Sequence, residues 1–397
     1  MKFLRKIASY TNGVRLALAA LALIMTVALI MGILVVSQVR YIRSNYEIVS
    51  ATTGDTDRLY YYMSTQYMYG GITGSGTTVE ELENLPGMAG VYPVYSVGSA
   101  IRIVEGEKEP CTIILFHPRL LELFPAMGLD FSDPNGVILA SSAFRDVVPG
   151  ESFELYFSKE KRTEVLSAVG WRPYPYRYMG FQHGGTNITV NDLFGSGQSL
   201  LMIATEENMA RMAELAYVTP STYFLFEIEA DATQEQTEAL LHEISRTGIA
   251  VSLTDLLADT ETAMDEQLRD LLPMPLFLLT VSTFAYFSTQ ILIFKKKEQD
   301  LAISYLCGGT RFGCTVTALG AFGIVSLVPI GLSIGTVAIL PVFDWLNLLT
   351  DGRYLVDHWT YGLLAGFFLL TQGFTALAAW LDMKDHTPLT LLRGVEK

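Results

Sequence analysis

Charged side chains are distributed unevenly along the chain. Four windows, 16–39, 271–294, 312–343 and 358–381, contain no Asp, Glu, Lys or Arg, and each is at least 24 residues long. About 20 apolar residues suffice to cross a bilayer as an α-helix. The pattern therefore predicts an α-helical membrane protein with four transmembrane helices, one before and three after a long polar region. Lys2, Arg5 and Lys6 look like the basic start of a signal peptide. The apolar stretch that follows is too long for one, however, and no small-x-small pair follows it at 36–41, so the first window reads as an uncleaved anchor. The third window is 32 residues long and contains Pro329, which predicts a kink or a partly external end.

The polar region 40–270 reads as an extracytoplasmic α+β domain carried on helical stalks. Residues 40–69 lack strong breakers apart from Gly54 and predict a stalk leaving the first span. The segment 70–78 is rich in Gly, Ser and Thr and reads as a loop. Runs of β-branched and aromatic residues between turn residues predict strands at 91–97, 112–116, 137–140, 153–157 and 200–204. Short helices are expected at 78–85, 119–124 and 142–147, and 171–181, rich in Tyr and Pro, reads as irregular. Thr205 caps a helix over 206–216 that carries Glu206 and Glu207 in its first turn. The clearest unit spans 222–253. An alternating strand at 223–229 leads to a capping box between Thr233 and Gln236, a helix ending at Gly248, and a returning strand at 249–253. A helix over 254–271 then leads back to the membrane.

Basic residues near the window ends set the orientation. Lys2, Arg5, Lys6 and Arg15 precede the first window, Lys295, Lys296, Lys297 and Arg311 lie between the second and third, and Lys384, Arg393 and Lys397 follow the fourth. With four spans all of these fall on one side. Both termini (1–15 and 382–397) and the 295–311 loop are then cytoplasmic in a plasma-membrane protein, and 40–270 and the short loop 344–357 are external. Phe3, Leu4 and Ile7 give the first segment an apolar face suited to the inner leaflet. The net charge of −14 divides accordingly: 40–270 holds 15 basic and 33 acidic residues, a net of −18, and the remainder sums to +4. An acidic external domain argues against nucleic acid as a partner. Cys111 is alone in that domain, which excludes an internal disulfide there.

Motifs for chemistry are absent from the sequence. It contains no G-x-x-x-x-G-K-[ST], H-E-x-x-H, C-x-x-C or G-x-S-x-G, and His117, His183, His242, His358 and His386 are scattered. No acid–base–nucleophile set is legible, so the chain is expected to be no enzyme, with no catalytic residues, metal or cofactor of its own. The charge-free windows also argue against an ion-coupled carrier. Gly331 with Gly335, and Gly362 with Gly366, form G-x-x-x-G patterns suited to close packing of helices, within one chain or between two protomers. The cluster Tyr60, Tyr61, Tyr62, Tyr67 and Tyr69 and the aromatic stretch 171–178 are candidate external contacts, represented by Tyr61, Tyr67, Trp171 and Tyr176. The alternative for these aromatics is burial in the core.

The segment 295–311 carries the most specific pattern. It reads as a short helix over 298–307, with Leu301, Ser304 and Tyr305 on one face and Asp300 beside them, a turn at Gly308 and Gly309, and Arg311 at the entry to the next span. It resembles the R-E-I-x-I-x-x-x-x-G-A-[ST]-[RK] pattern of FtsX/MacB-type permeases, the membrane subunits of type VII ABC transporters. Leu301, Ile303, Gly308, Thr310 and Arg311 match; Asp300 stands where the family has Glu, and Gly309 replaces Ala. The stretches 82–93 and 251–255 are also similar to that family, as is the 1+3 arrangement of spans. The resemblance implies a permease that works as a homo- or heterodimer. Each protomer would bind a separate ABC-type ATPase subunit that carries ATP and Mg, with Asp300, Leu301, Ser304, Tyr305, Gly308 and Arg311 receiving the ATPase motion. It implies export or extrusion of a hydrophobic or peptide substrate. The alternative is a non-transporting transmitter acting on an external partner such as a cell-wall hydrolase. A membrane-anchored receptor without an ATPase would leave the 295–311 pattern unexplained.

Overall fold

The computed structural model describes residues 15–64, 79–104, 107–141, 144, 146–172, 177–181, 188–195, 199–296, 303, 310, 327–336, 355 and 357–384. The chain forms two compact units, Tyr41–Asp265 on one hand and Met1–Arg40 with Glu266–Lys397 on the other.

In the apolar unit, helices cover Arg15–Ser50, Pro273–Lys296 and His358–Lys384. Two helical runs, Ala19–Ser50 and Leu253–Thr289, are long and apolar enough to cross a membrane, and Leu327–Thr336 is a shorter apolar helix. The rest of the third window lies outside the described residues, so the count of four spans remains an expectation. On the first helix Met25, Ala28, Leu29 and Ile33 are buried, one stripe at helical spacing, whereas Leu23, Ile24 and Val27 are exposed. Phe277, Phe284, Leu292, Trp359 and Leu369 are also large, apolar and exposed. Surface of that kind needs a partner or a bilayer to cover it.

Among the described residues the second unit is built on eleven strands. These are β1 (Leu59–Ser64), β2 (Met88–Val104), β3 (Glu107–Phe116), β4 (Val137–Ala140), β5 (Ser152–Phe157), β6 (Arg162–Trp171), β7 (Tyr178–Met179), β8 (Phe194–Gly195), β9 (Ser199–Ile203), β10 (Val218–Ile228) and β11 (Gly248–Ser252). Nine form one sheet in the order β11-β1-β10-β2-β3-β9-β4-β6-β5, and β5 also pairs with β2. That last pairing, Ala100 with Phe157 and Ile101 with Tyr156, closes β2, β3, β9, β4, β6 and β5 into a barrel-like ring. The expected α+β domain is therefore present, but its sheet curls on itself. The 17-residue β2 makes this geometry available: its first half pairs with β10 and its second half reaches β5. Val97, Ile113, Leu139, Leu155, Phe157 and Leu200 pack together in one apolar core with Met212 and Leu215 of the helix Glu206–Leu215.

The strand–helix–strand unit at the other end is split. β10, the helix Gln234–Ile244 and β11 follow one another in the chain, but β1 lies between the two strands and is antiparallel to both. The Thr233–Gln236 capping box starts the helix. Gly248 begins β11 where any Cβ would meet the Met63 carbonyl oxygen and the Tyr62 ring at 2.4 Å, so β1 and β11 require glycine there. β1 was expected to be stalk helix. The stalk helix instead ends at Ser50, and Thr53 N donates to the Leu123 carbonyl at 2.9 Å, turning the chain toward the sheet. β1 is buried on both faces. Tyr62 stacks on Phe224 at 4.6 Å and Tyr60 on Phe226 at 5.3 Å, while Tyr61 enters the opposite core.

Candidate functional site

The polar end of the first helix, 41–50, and the helix Leu253–Leu271 carry the chain into and out of the second unit. Both are fastened into it. Leu253 and Leu256 pack with Ile48, Val49, Leu193 and Phe194 in one core cluster. Each fully buried side chain of this kind contributes about 1.5–3 kcal/mol. Ser252 Oγ accepts the Asp255 N–H at 3.0 Å and donates to the Asp255 carboxylate at 2.7 Å, capping the returning helix.

Two buried polar contacts sit in this apolar setting, and a third, exposed one joins the stalks. Asn45, 0% exposed, donates through Nδ2 to Asn191 Oδ1 at 2.9 Å. Thr260, also 0% exposed, accepts the Val190 backbone N–H at 3.0 Å and donates to the Leu256 carbonyl at 2.6 Å. Tyr46 Oη donates to Glu261 Oε1 at 2.7 Å, a direct bond between the two stalk helices, and that bond raises the Tyr46 phenol pKa. Asn191 and Val190 belong to the 3₁₀ turn Val190–Leu193, itself closed by a capping box between Thr189 and Asp192. Buried polar groups are costly to leave unpaired, so these contacts fix the stalks in one register against the domain. A displacement of either stalk has to carry the 188–195 segment with it or break these bonds.

Asn45, Asn191 and Thr260 were not among the sequence candidates. A signal for Thr260 exists, because Leu253, Leu256, Thr260 and Met264 form one buried helical stripe with a hydroxyl inside it. Nothing local marks Asn191.

The sequence candidates fall in different places. Asp300, Leu301, Ser304, Tyr305, Gly308 and Arg311 lie outside the described residues, as do Tyr67 and Tyr176. Tyr61 is overturned as an external contact. It is 0% exposed inside the sheet, and burial pushes its phenol far above the ordinary range. Trp171 stands at the end of β6, 42% exposed. A Cβ added at Gly331, Gly335, Gly362 or Gly366 meets nothing within 4 Å, so these glycines make no close helix contact among the described residues. Between Pro273–Lys296 and His358–Lys384 lies a groove of about 460 Å³ lined by Leu276, Phe284, Phe287, Phe367 and Phe374 among others, which is almost wholly apolar.

No protein-family model matches the sequence, and no curated protein matches it. Among solved structures, the periplasmic region of MacB from Actinobacillus actinomycetemcomitans is similar at 10% identity and a TM-score of 0.31, over 52% of this chain and 93% of that one. A domain of a putative permease protein from Porphyromonas gingivalis is similar at 13% identity and a TM-score of 0.25, over 48% of this chain and 81% of that one. Similarity at this level identifies neither a family nor an activity.

Proposed function

We propose that this chain is the permease subunit of an ABC transporter in the plasma membrane. A separate ATPase subunit binds ATP and Mg, and its motion reaches the external domain through the two stalks. The observation that carries the reading is the fastening of both stalks into the domain by buried bonds at Asn45 and Thr260, with the surface bond of Tyr46 joining the two stalks. A domain merely displayed on a tether has no need of them. The likeness of 295–311 to the permease loop supplies the cytoplasmic end of the pathway, with Asp300, Leu301, Ser304, Tyr305, Gly308 and Arg311 as the contact set.

The four-span topology draws support from the apolar unit. Arg40, just past the first window, pairs with Asp357, just before the fourth, at 3.0 Å, and Leu355 N donates to the Ser37 carbonyl at 3.1 Å. The end of the first window and the start of the fourth are thus side by side, as they must be if both emerge externally. The absence of any P-loop from the sequence assigns hydrolysis to a partner. In this reading two protomers pair, with Gly331, Gly335, Gly362 and Gly366 on the contact faces, and the cycle exports a hydrophobic or peptide substrate.

The test is the ATPase activity of the assembled complex. Asp300→Ala and Tyr305→Ala should lower permease-stimulated hydrolysis to the level of the ATPase alone while the membrane subunit keeps its yield and melting temperature. Full stimulation in both variants would remove the 295–311 assignment.

A further inference from the structure

Among the described residues, one basic and one acidic side-chain atom are buried without a hydrogen-bond partner: Arg102 Nη1 and Glu109 Oε2. The sheet places their residues side by side. Arg102 on β2 stands directly opposite Glu109 on β3 in the antiparallel ladder. Directly opposed side chains share one face of a sheet, with Cβ atoms about 4.5–5.5 Å apart. Two positions along the same face, Ala100 opposes Cys111, and both belong to the apolar core of the ring. A donor and an acceptor lie within an arginine's reach of one another, yet neither is paired.

Arg102 uses a different nitrogen for a different carboxylate. Its Nη2 donates to Asp146 Oδ2, and the guanidinium lies over the Phe144 ring with Cζ 4.5 Å from the centroid. The Arg102 side chain is 8% exposed and that of Asp146 is 64% exposed. An ion pair with so exposed a carboxylate is screened by water and is weak. A buried donor and a buried acceptor left unpaired both cost stability. Rotation of the guanidinium toward Glu109 would pair both of them at the expense of the weaker bond.

What the present bond holds is the segment 146–151. β2 and β5 pair at Ala100 with Phe157 and at Ile101 with Tyr156, and their ladder ends there. Next along β2, the Arg102–Asp146 bond ties the strand to the segment that leads into β5. The other end of the segment is fixed to β6 by backbone: Gly150 N donates to the Ala168 carbonyl at 2.7 Å, and Ala168 N to the Glu151 carbonyl at 2.8 Å. The segment is therefore a strap, firm at β6 and held at β2 through one side-chain bond among the described residues.

We infer that Arg102 is a switch between two carboxylates. In one state it holds the strap through Asp146. In the other it turns to Glu109, pairs both buried atoms and frees the strap on the β2 side, opening the ring where its ladder ends. The device lies wholly within Tyr41–Asp265 and does not depend on an ATPase partner.

The experiment is hydrogen exchange and thermal melting of the full-length protein in detergent, for wild type, Glu109→Ala, Asp146→Ala and the double variant. Glu109→Ala removes the competing carboxylate. The amides of 146–151 should then exchange roughly tenfold more slowly than in wild type, the effect of about one charge-assisted hydrogen bond on a local opening. Its melting temperature should be unchanged or higher. Asp146→Ala should speed that exchange and lower the melting temperature by less than about 4 °C, because Arg102 falls back on Glu109. The double variant leaves the guanidinium buried with neither carboxylate and should lose about 6–20 °C, more than the two single losses together. Exchange at 146–151 that is unchanged or faster in Glu109→Ala would overturn the inference, as would melting shifts that simply add. If the double variant fails to fold, exchange in Glu109→Ala decides alone: slower exchange supports the switch, and unchanged exchange overturns it.

Discussion

Thr260→Val tests the fastening of the returning stalk with almost no change of shape. The valine keeps both branches of the side chain and removes the hydroxyl that accepts the Val190 N–H at 3.0 Å. The Leu256 carbonyl loses its 2.6 Å partner too, but as a helix carbonyl it retains its backbone bond. The cost is then that of one buried, unpaired backbone donor, about 1–3 kcal/mol. For a domain of this size each kcal/mol moves the melting temperature by about 2–4 °C, so a fall of roughly 2–12 °C is expected. Thr260→Ser, which keeps the hydroxyl and removes one methyl, should cost about 1 kcal/mol. Hydrogen exchange gives the local readout: in Thr260→Val the amides of 188–195 should exchange faster, and in Thr260→Ser they should stay near wild type. If transmission runs through this bond, Thr260→Val should also weaken ATPase stimulation more than Thr260→Ser does. A valine variant that melts and exchanges like wild type would refute the argument that this hydroxyl fixes the stalk.

Asn45→Ala and Asn191→Ala should each destabilise the domain, and their double variant should cost less than the sum by about 0.5–3 kcal/mol, as a mutant cycle followed by thermal melting would show. Tyr61→Phe should leave stability unchanged or higher, because the Tyr61 hydroxyl is buried without a hydrogen-bond partner, and its melting temperature is the readout. His117 accepts the Arg119 N–H on Nδ1 at 3.2 Å, and burial lowers its pKa from 6.5. Its contribution is therefore present above pH 6.5 and is lost as the pH falls through the lowered value. His117→Asn should remove that part of the acid sensitivity in melting curves taken across this range. Gly362→Leu should weaken pairing of protomers without unfolding the chain, because among the described residues nothing lies within 4 Å of a Cβ there; crosslinking in membranes reads the loss, and undiminished dimer would place the contact elsewhere.

The parts of this fold that were legible in the sequence are those set by local rules. Thr205 and the Thr233–Gln236 box start helices because the threonine side chains satisfy N–H groups three residues ahead. β4 and β5 follow from short β-branched and aromatic runs between turns. β1 escaped because both of its faces are buried, so Tyr60, Tyr61 and Tyr62 show no alternation of polar and apolar positions. β6 escaped because Ser167, Ala168 and Gly170 dilute its pattern, and small residues there fit a strand whose register shifts against β4. Ring closure depends on Ala100 and Ile101 meeting Tyr156 and Phe157, a pairing across more than 50 residues that no window of sequence contains. A still longer separation, 146 residues, divides Asn45 from Asn191. The stalks were visible as helices, but their attachment to the domain was not.

The central claim is that a separate ATPase drives this chain. The most direct measurement is to purify the tagged full-length protein in mild detergent from its own cells and identify stoichiometric partners by mass spectrometry. Recovery of a P-loop ATPase at about one copy per chain is the predicted result. Recovery of the chain alone from cells that contain such an ATPase would contradict the claim and leave a membrane-anchored receptor as the better description.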